Sequence, residues 1–383
     1  MFSIDLSVPV LFGEEVSQET GKKLKEHGIT KIFCVYDKGI KASGIVDKIL
    51  GNIESEDIKI VEFDGVLPDP PISLVDKAGE IARNENVDGV VGIGGGSSMD
   101  TAKAVNVLLE NSGSISNYFG RGIPQNPGKP LFLIPTTAGT GSEVTSVAVI
   151  SDEKAVRKKG VSGKNCIATL AIVDPTLTLE LPPQLTASTG MDAFSHAIEA
   201  LTSKMNNPMS DILALEAISL IAEFLPIAFR DGSNTVARMK MIFASTIAGM
   251  AFKNAVTHLG HAIAHTLGAK FHVPHGIGCG LAVPGVIEFV SDVMPDRVRL
   301  IGKAIHIDSV DKISNKELGS IVSDAVRKLN KEIKLPSLKT LDIEAGDLKN
   351  IAEETPGDVC AGNIPKKTTP EDILKILEKE YYQ

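Results

Sequence analysis

Short β-rich apolar runs alternate with amphipathic stretches through the first half of the chain. Lys31–Asp37, Ile58–Asp64, Val87–Ile93 and Leu131–Pro135 predict strands, and Lys41–Leu50, Ser73–Asn84 and Ser98–Glu110 predict helices between them. This alternation implies a parallel sheet with helices on its faces. Ser146–Ser151 and Cys166–Val173 read as further strands, the second ending at Asp174-Pro175. After Leu181-Pro182-Pro183 the rhythm changes, and from Thr189 onward long segments of helical period dominate. The Pro-Pro pair marks a boundary. The pattern therefore predicts an α/β domain over residues 1–182 and an all-helical domain over 183–383. Ligands of open α/β sheets bind beyond the carboxyl ends of the strands, and clefts between domains are common sites, so both rules direct attention to one place.

A chain of 383 residues exceeds the usual size of a single core, which agrees with two domains. Its net charge of -9 offers nothing to a polyanion, so a nucleic-acid partner is not expected. The apolar stretches Asp211–Phe229 and Val236–Phe252 are interrupted by Glu216, Glu223, Arg238 and Lys240, and read as buried helices rather than membrane spans. Met1 to Leu11 has no basic region and carries Asp5, so it does not read as a signal peptide. Cys34, Cys166, Cys279 and Cys360 are scattered with no Cys-x-x-Cys pair, as expected of buried small hydrophobes in a reducing cytoplasm.

Two loops carry candidate ligand chemistry. Val90 to Lys103 reads as a strand, the cluster Gly94-Gly95-Gly96-Ser97-Ser98 and a helix start. Glycines let backbone approach a phosphate, and a helix N-terminus adds free N–H groups and partial positive charge. Ser97 or Ser98 is expected to cap the helix and donate to a phosphate oxygen. The segment is a candidate pyrophosphate cradle, which makes the first domain a candidate dinucleotide-binding domain. The usual fingerprint places its ribose-binding acid about 20 residues after the glycines. Here the strand ending in an acid, at Asp37, precedes them, so on the residues alone Asp37 reads as the start of the turn Asp37-Lys38-Gly39 rather than as a ribose ligand. The second loop, Pro135 to Glu143, gathers three threonines, a serine and two glycines, a surface suited to phosphate, ribose and carboxamide contacts.

The strongest signal lies in the helical half. Asp192 and His196 stand four apart, on one helix face, and His261 and His265 repeat that spacing. Five of the eight histidines fall between His258 and His275. A carboxylate with several imidazoles suits Fe(II), Zn(II) or a similar ion. Ala262 stands where a zinc protease needs its glutamate base, which disfavours a hydrolase. Spacing alone does not choose ligands among His258, His261, His265, His272 and His275.

The segments GIGGGSSMDTAKA, PTTAGTGSE, AIVDP, GMDAFSHAIEA, GHAIAHTLGA, PHGIG and DVCAGNIPKKTTPEDI together resemble the iron-containing, or group III, alcohol dehydrogenase family along nearly the whole chain. The resemblance implies an α/β N-terminal dinucleotide-binding domain plus an all-α C-terminal domain, with Asp192, His196, His261 and His275 as metal ligands. It makes His265 a non-ligand near substrate and cofactor. It carries cofactor contacts onto Gly95, Gly96, Ser97, Ser98, Asp100, Thr136, Thr137, Gly139, Thr140 and Ser142, with Val149 and Lys158 or Lys159. Asp37 matches the acidic position that marks NAD preference. Asp69 stands where the family often has the asparagine of Pro-Asn-Pro, and adds charge near the pyrophosphate. The implied activity is hydride transfer between NAD(H) and a short-chain primary alcohol or diol/aldehyde pair, with Fe2+, Zn2+ or another divalent ion as Lewis acid. The implied protein is a cytoplasmic homodimer or higher homo-oligomer acting on a small alcohol or aldehyde. Two rival expectations are a glycerol-dehydrogenase-like polyol dehydrogenase and a non-catalytic metal- and nucleotide-binding protein.

Overall fold

The protein is described by a computed structural model covering residues 2–155 and 157–382. It divides into two compact units: Leu6–Thr137 with Gly141–Glu180, and Met1–Asp5, Ala138–Thr140 and Leu181–Gln383.

The first unit is built on a six-stranded parallel sheet. Its strands are β1 (Val10–Phe12), β2 (Lys31–Val35), β3 (Lys59–Phe63), β4 (Gly89–Gly94), β6 (Leu131–Pro135) and β9 (Leu170–Val173), in the order β1-β9-β6-β4-β2-β3. A smaller sheet holds β5 (Gly120–Arg121), β7 (Val147–Asp152) and β8 (Arg157–Ser162), with β7 and β8 antiparallel. Every residue of β4 and β6 is buried. That is why both read as unbroken apolar runs rather than alternating ones, since helices cover both faces of a parallel sheet. The strand predicted at Ser146–Ser151 therefore belongs to a separate antiparallel pair. The run predicted as one helix at Lys41–Leu50 is two, Lys38–Ala42 and Ile45–Glu54, broken where Gly44 takes φ +77°. β1 and β8 gave no signal: β1 is only three residues long, and β8 is rich in lysine and arginine.

This order fixes where a ligand belongs. The chain runs from β2 outward to β3, then returns to β4 beside β2 and continues the other way through β6 and β9. The carboxyl ends of β2 and β4 thus flank the point where winding reverses, the position at which doubly wound sheets bind ligands. Asp37 follows β2 and the glycine cluster follows β4.

The second unit is helical. Pro183–Thr202 packs against Pro208–Arg230, Thr235–Ala255 and His275–Val290, and Leu259–Phe271 lies against His275–Val290. Pro208–Arg230 is long and apolar enough to cross a membrane by length and composition. Here it is a bundle helix, with Ala214, Ile218, Ile221 and Leu225 wholly buried. Asn207 opens it with a reciprocal capping box to Ser210, and Pro208 occupies the first turn, where its missing N–H costs nothing.

Candidate metal centre and cofactor loops

The Pro183–Thr202 helix presents Asp192, His196 and Glu199 on one buried face. Leu259–Phe271 adds His261, and His275 opens the His275–Val290 helix. Three imidazole Nε2 atoms converge on Asp192 Oδ1, at 3.4 Å from His275, 3.7 Å from His261 and 3.9 Å from His196. These separations are too long for hydrogen bonds. Ligands about 2.0–2.1 Å from a metal stand roughly 3–3.5 Å apart; the His275 separation falls in that range and those of His261 and His196 are a few tenths of an ångström wider. Asp192 Oδ1 and His261 Nε2 are buried and have no hydrogen-bond partner, a costly state for groups with nothing between them. The residues therefore fit a divalent cation. Burial holds the His196 imidazole down at about pKa 4, keeping it in the neutral form that binds metals. Burial also opposes ionisation of Asp192, yet the surrounding His196 and His275 hold its carboxyl well below the usual range.

The site has an outer layer. Glu199 accepts from the backbone N–H of His258 at 2.6 Å and of His261 at 3.0 Å, and from His261 Nδ1 at 2.9 Å. Gly260 makes room for it: a Cβ there would come within 2.2 Å of Glu199 Oε1. His196 is stacked between the rings of Phe252 and His261. His265 Nδ1 lies 2.9 Å from Asp358 Oδ2, and Asp358 Oδ1 accepts from the Cys360 N–H. His258 Nε2 pairs with Thr202 Oγ1, and His272 ends its helix in the left-handed conformation. Both serve the scaffold. Cys34, Cys166 and Cys279 are buried as expected, whereas Cys360 is only half-buried; Cys279 Sγ lies 3.6 Å from His275 Nε2.

In the first unit the glycine cluster forms the expected strand–loop–helix turn, with one correction. The helix begins at Gly96 and its cap is Gly95, with no side-chain cap bond. Ser97 and Ser98 fall inside the first turn, so neither caps it. The N–H groups of Gly96, Ser97 and Ser98 precede any intrahelical acceptor and are available to an anion. Gly94 takes φ +140°, and a Cβ there would meet Ser98 Oγ at 2.6 Å. Ser98 Oγ reaches Asp37 Oδ2 at 3.5 Å, while Asp37 Oδ1 caps the next helix through the Gly39 and Ile40 N–H groups. Asp37 is thus both a turn residue and a neighbour of the glycine loop. The Thr136 N–H donates to the Gly94 carbonyl, and Thr137 Oγ1 faces Gly95.

Other expected contacts hold one another. Asp100 accepts from Ser142 Oγ at 2.6 Å and from the Val149 N–H at 3.0 Å. Lys103, wholly buried, donates to Ser142 Oγ, Thr145 Oγ1 and the Val147 carbonyl. Lys158 Nζ lies 2.6 Å from Asp69 Oδ1, and Asp69 adopts φ +51°, which aspartate and asparagine tolerate. Gly139 belongs to the helical unit, where a Cβ would strike Thr189. Sequence reasoning missed Glu199, Lys103 and Asp358. Glu199 had a signal, lying seven residues after Asp192 on the same helix face.

This geometry defines a metal-binding helical unit joined to a doubly wound α/β unit. Residues 8–175 match the profile of the family described as iron-containing alcohol dehydrogenase, and residues 186–381 match the C-terminal part of the Fe-containing alcohol dehydrogenase family. The chain is 36% identical over 371 residues to alcohol dehydrogenase 4 of Saccharomyces cerevisiae, covering 97% of this chain and 96% of that protein. It is 35% identical over 369 residues to the NAD-dependent methanol dehydrogenase of Bacillus methanolicus, covering 96% and 97%. The crystal structure of a 1,3-propanediol oxidoreductase superposes with a TM-score of 0.96 at 33% identity, over the whole of both chains. The chain belongs to the iron-containing alcohol dehydrogenase family.

Proposed function

We propose that this protein transfers hydride between NAD(H) and a short-chain primary alcohol or diol and its aldehyde, with iron held by Asp192, His196, His261 and His275. The observation that carries the reading is the convergence of three Nε2 atoms on a buried, unbonded carboxylate oxygen. A mixed oxygen and nitrogen donor set suits Fe(II), and its family is named for iron. When bound, a divalent ion supplies Lewis-acid polarisation of the substrate oxygen.

The chain's own residues do the positioning. Gly94 and Gly95 admit a pyrophosphate to the N–H groups of Gly96, Ser97 and Ser98. Asp37 accepts from the adenosine ribose hydroxyls and repels a 2′-phosphate, which supports NAD, the cofactor named for the methanol dehydrogenase relative. Thr136, Thr137 and Thr140 offer hydroxyls to the cofactor. Asp100, Ser142 and Val149 fix the second loop by bonding one another, and Lys158, drawn in by Asp69, places a cation beside them. Asp358 accepts from His265 Nδ1, which orients the ring with Nε2 as the nitrogen offered to substrate.

The test is NADH oxidation with a panel of short aldehydes, using protein stripped of metal and reloaded separately with Fe(II) or Zn(II). Activity restored by metal, greater with Fe(II) and with NADH than with NADPH, supports the reading. Full activity in verified metal-free protein would overturn it. His275→Ala should lose both metal and activity, and unchanged metal content would remove His275 from the ligand set.

A further inference from the structure

Cys279 lies one helical turn after His275, and its thiol faces the same cluster. One donor atom from each of Asp192, His261, His275 and Cys279 lies within 4.8 Å of the other three. Asp192 Oδ1 and His261 Nε2 are aimed into this group with no hydrogen-bond partner, on side chains only 5% and 4% exposed. We propose that Cys279 is a metal ligand, and that with a thiophilic ion such as Zn(II) the site binds through Asp192, His261, His275 and Cys279 rather than through the set containing His196. The proposal rests on the metal centre described above and adds a donor to it.

The chemistry separates the two sets. Three of the four donors are shared, and the fourth is either an imidazole or a sulfur. Sulfur donors favour zinc and other soft ions, whereas the oxygen and nitrogen set suits Fe(II). Zinc with a thiolate at about 2.3 Å and other ligands at about 2.0–2.1 Å keeps its donors roughly 3.3–3.8 Å apart, so binding draws the four groups closer than the 4.8 Å that encloses them here. The thiol proton leaves to solvent as the sulfur–metal bond forms, and nothing is oxidised. His196 is the donor set farthest back: stacked on Phe252 and His261 at 4.2 and 4.5 Å, its Nε2 stands 3.9 Å from Asp192 Oδ1, the longest of the three imidazole separations. Four protein ligands close a tetrahedral ion to substrate. Zinc bound in this mode therefore excludes the alcohol, and the ratio of iron to zinc sets the active fraction.

The full-length protein is loaded with Co(II), and its near-ultraviolet sulfur-to-cobalt charge-transfer absorption is recorded for wild type, Cys279→Ala, Cys279→Ser and Cys360→Ala. The expected result is a band in wild type and Cys360→Ala that is missing from both Cys279 variants. X-ray absorption of the zinc-loaded wild type needs no variant, and should show one sulfur scatterer at about 2.3 Å. Zinc affinity of Cys279→Ala should fall by more than the roughly 10–100-fold that losing an outer-layer partner costs, with Fe(II) affinity little changed. Bound cobalt with no sulfur band, a band lost only in Cys360→Ala, or zinc seen with nitrogen and oxygen neighbours alone would overturn the role of Cys279 and leave the metal centre standing. Failure of wild type to bind cobalt or zinc at all would overturn both.

Discussion

Glu199 Oε2 lies 2.9 Å from His261 Nδ1. An ionised carboxylate can only accept, so Nδ1 carries a proton, and when a metal is bound Nε2 is the nitrogen left to face Asp192 and the ion. The carboxylate also holds the backbone of His258 and His261, so one side chain sets both the tautomer and the position of a ligand. Glu199→Gln weakens this orientation while preserving volume. Metal affinity should fall by roughly 10–100-fold, read by competition with a chelator. An affinity equal to wild type would show that the ring is oriented by packing alone.

Asp37 divides its two oxygens between a helix cap and the glycine loop. Replacement by alanine would remove both functions at once. Asp37→Ser retains a good capping residue and removes only the charge. The ratio of kcat/KM for NADPH to that for NADH should rise about tenfold, equivalent to ~1.4 kcal/mol and within the ~1–4 kcal/mol between unit charges about 4 Å apart. No change in the ratio would leave Asp37 with its capping role alone.

Lys103 is a cation with no exposed surface, tied to Ser142, Thr145 and the Val147 carbonyl, with Asp100 at 3.8 Å. Together these groups join the Gly96–Glu110 helix to the second cofactor loop and to β7. Lys103→Met keeps the aliphatic stem but strands Asp100 in a buried setting without its counter-ion. A loss of about 3–5 kcal/mol is expected from chemical denaturation of the variant. A loss under about 1 kcal/mol, the scale of an exposed pair, would mean that water replaces the ammonium.

The parts of this arrangement that the sequence made legible are those with a period or a dense local composition. The glycine cluster after β4 and the four-residue spacing of Asp192 with His196 are of this kind. What stayed hidden depends on contacts far apart in the chain. The acid at Asp37 precedes the glycines because β2 and β4 are neighbours in the sheet, and adjacency of strands is not written in either segment. The pairing of Asp69 with Lys158 spans 89 positions, and that of His265 with Asp358 spans 93. Ser97 and Ser98 looked like helix caps because serine is a good one, but Gly95 already occupied the cap. A wholly buried lysine is the hardest case, since composition gives every lysine the same prior for the surface.

Acid should expose the role of Glu199 in the metal-free protein. Burial alone would raise its pKa, but His258 and His261 against it hold it down to about 2, from an ordinary value of 4.5. The folded value lies below the unfolded one, so as pH falls the unfolded chain binds this proton first. The stability contributed by Glu199 is therefore complete above about pH 4.5 and is lost between there and about pH 2. Glu199→Gln has no such proton to take up. The stability advantage of metal-free wild type over this variant, measured in urea at a series of pH values, should narrow across that window. An advantage that stayed constant from neutral pH down to about 2 would show that Glu199 is not ionised against the two histidines in the folded protein.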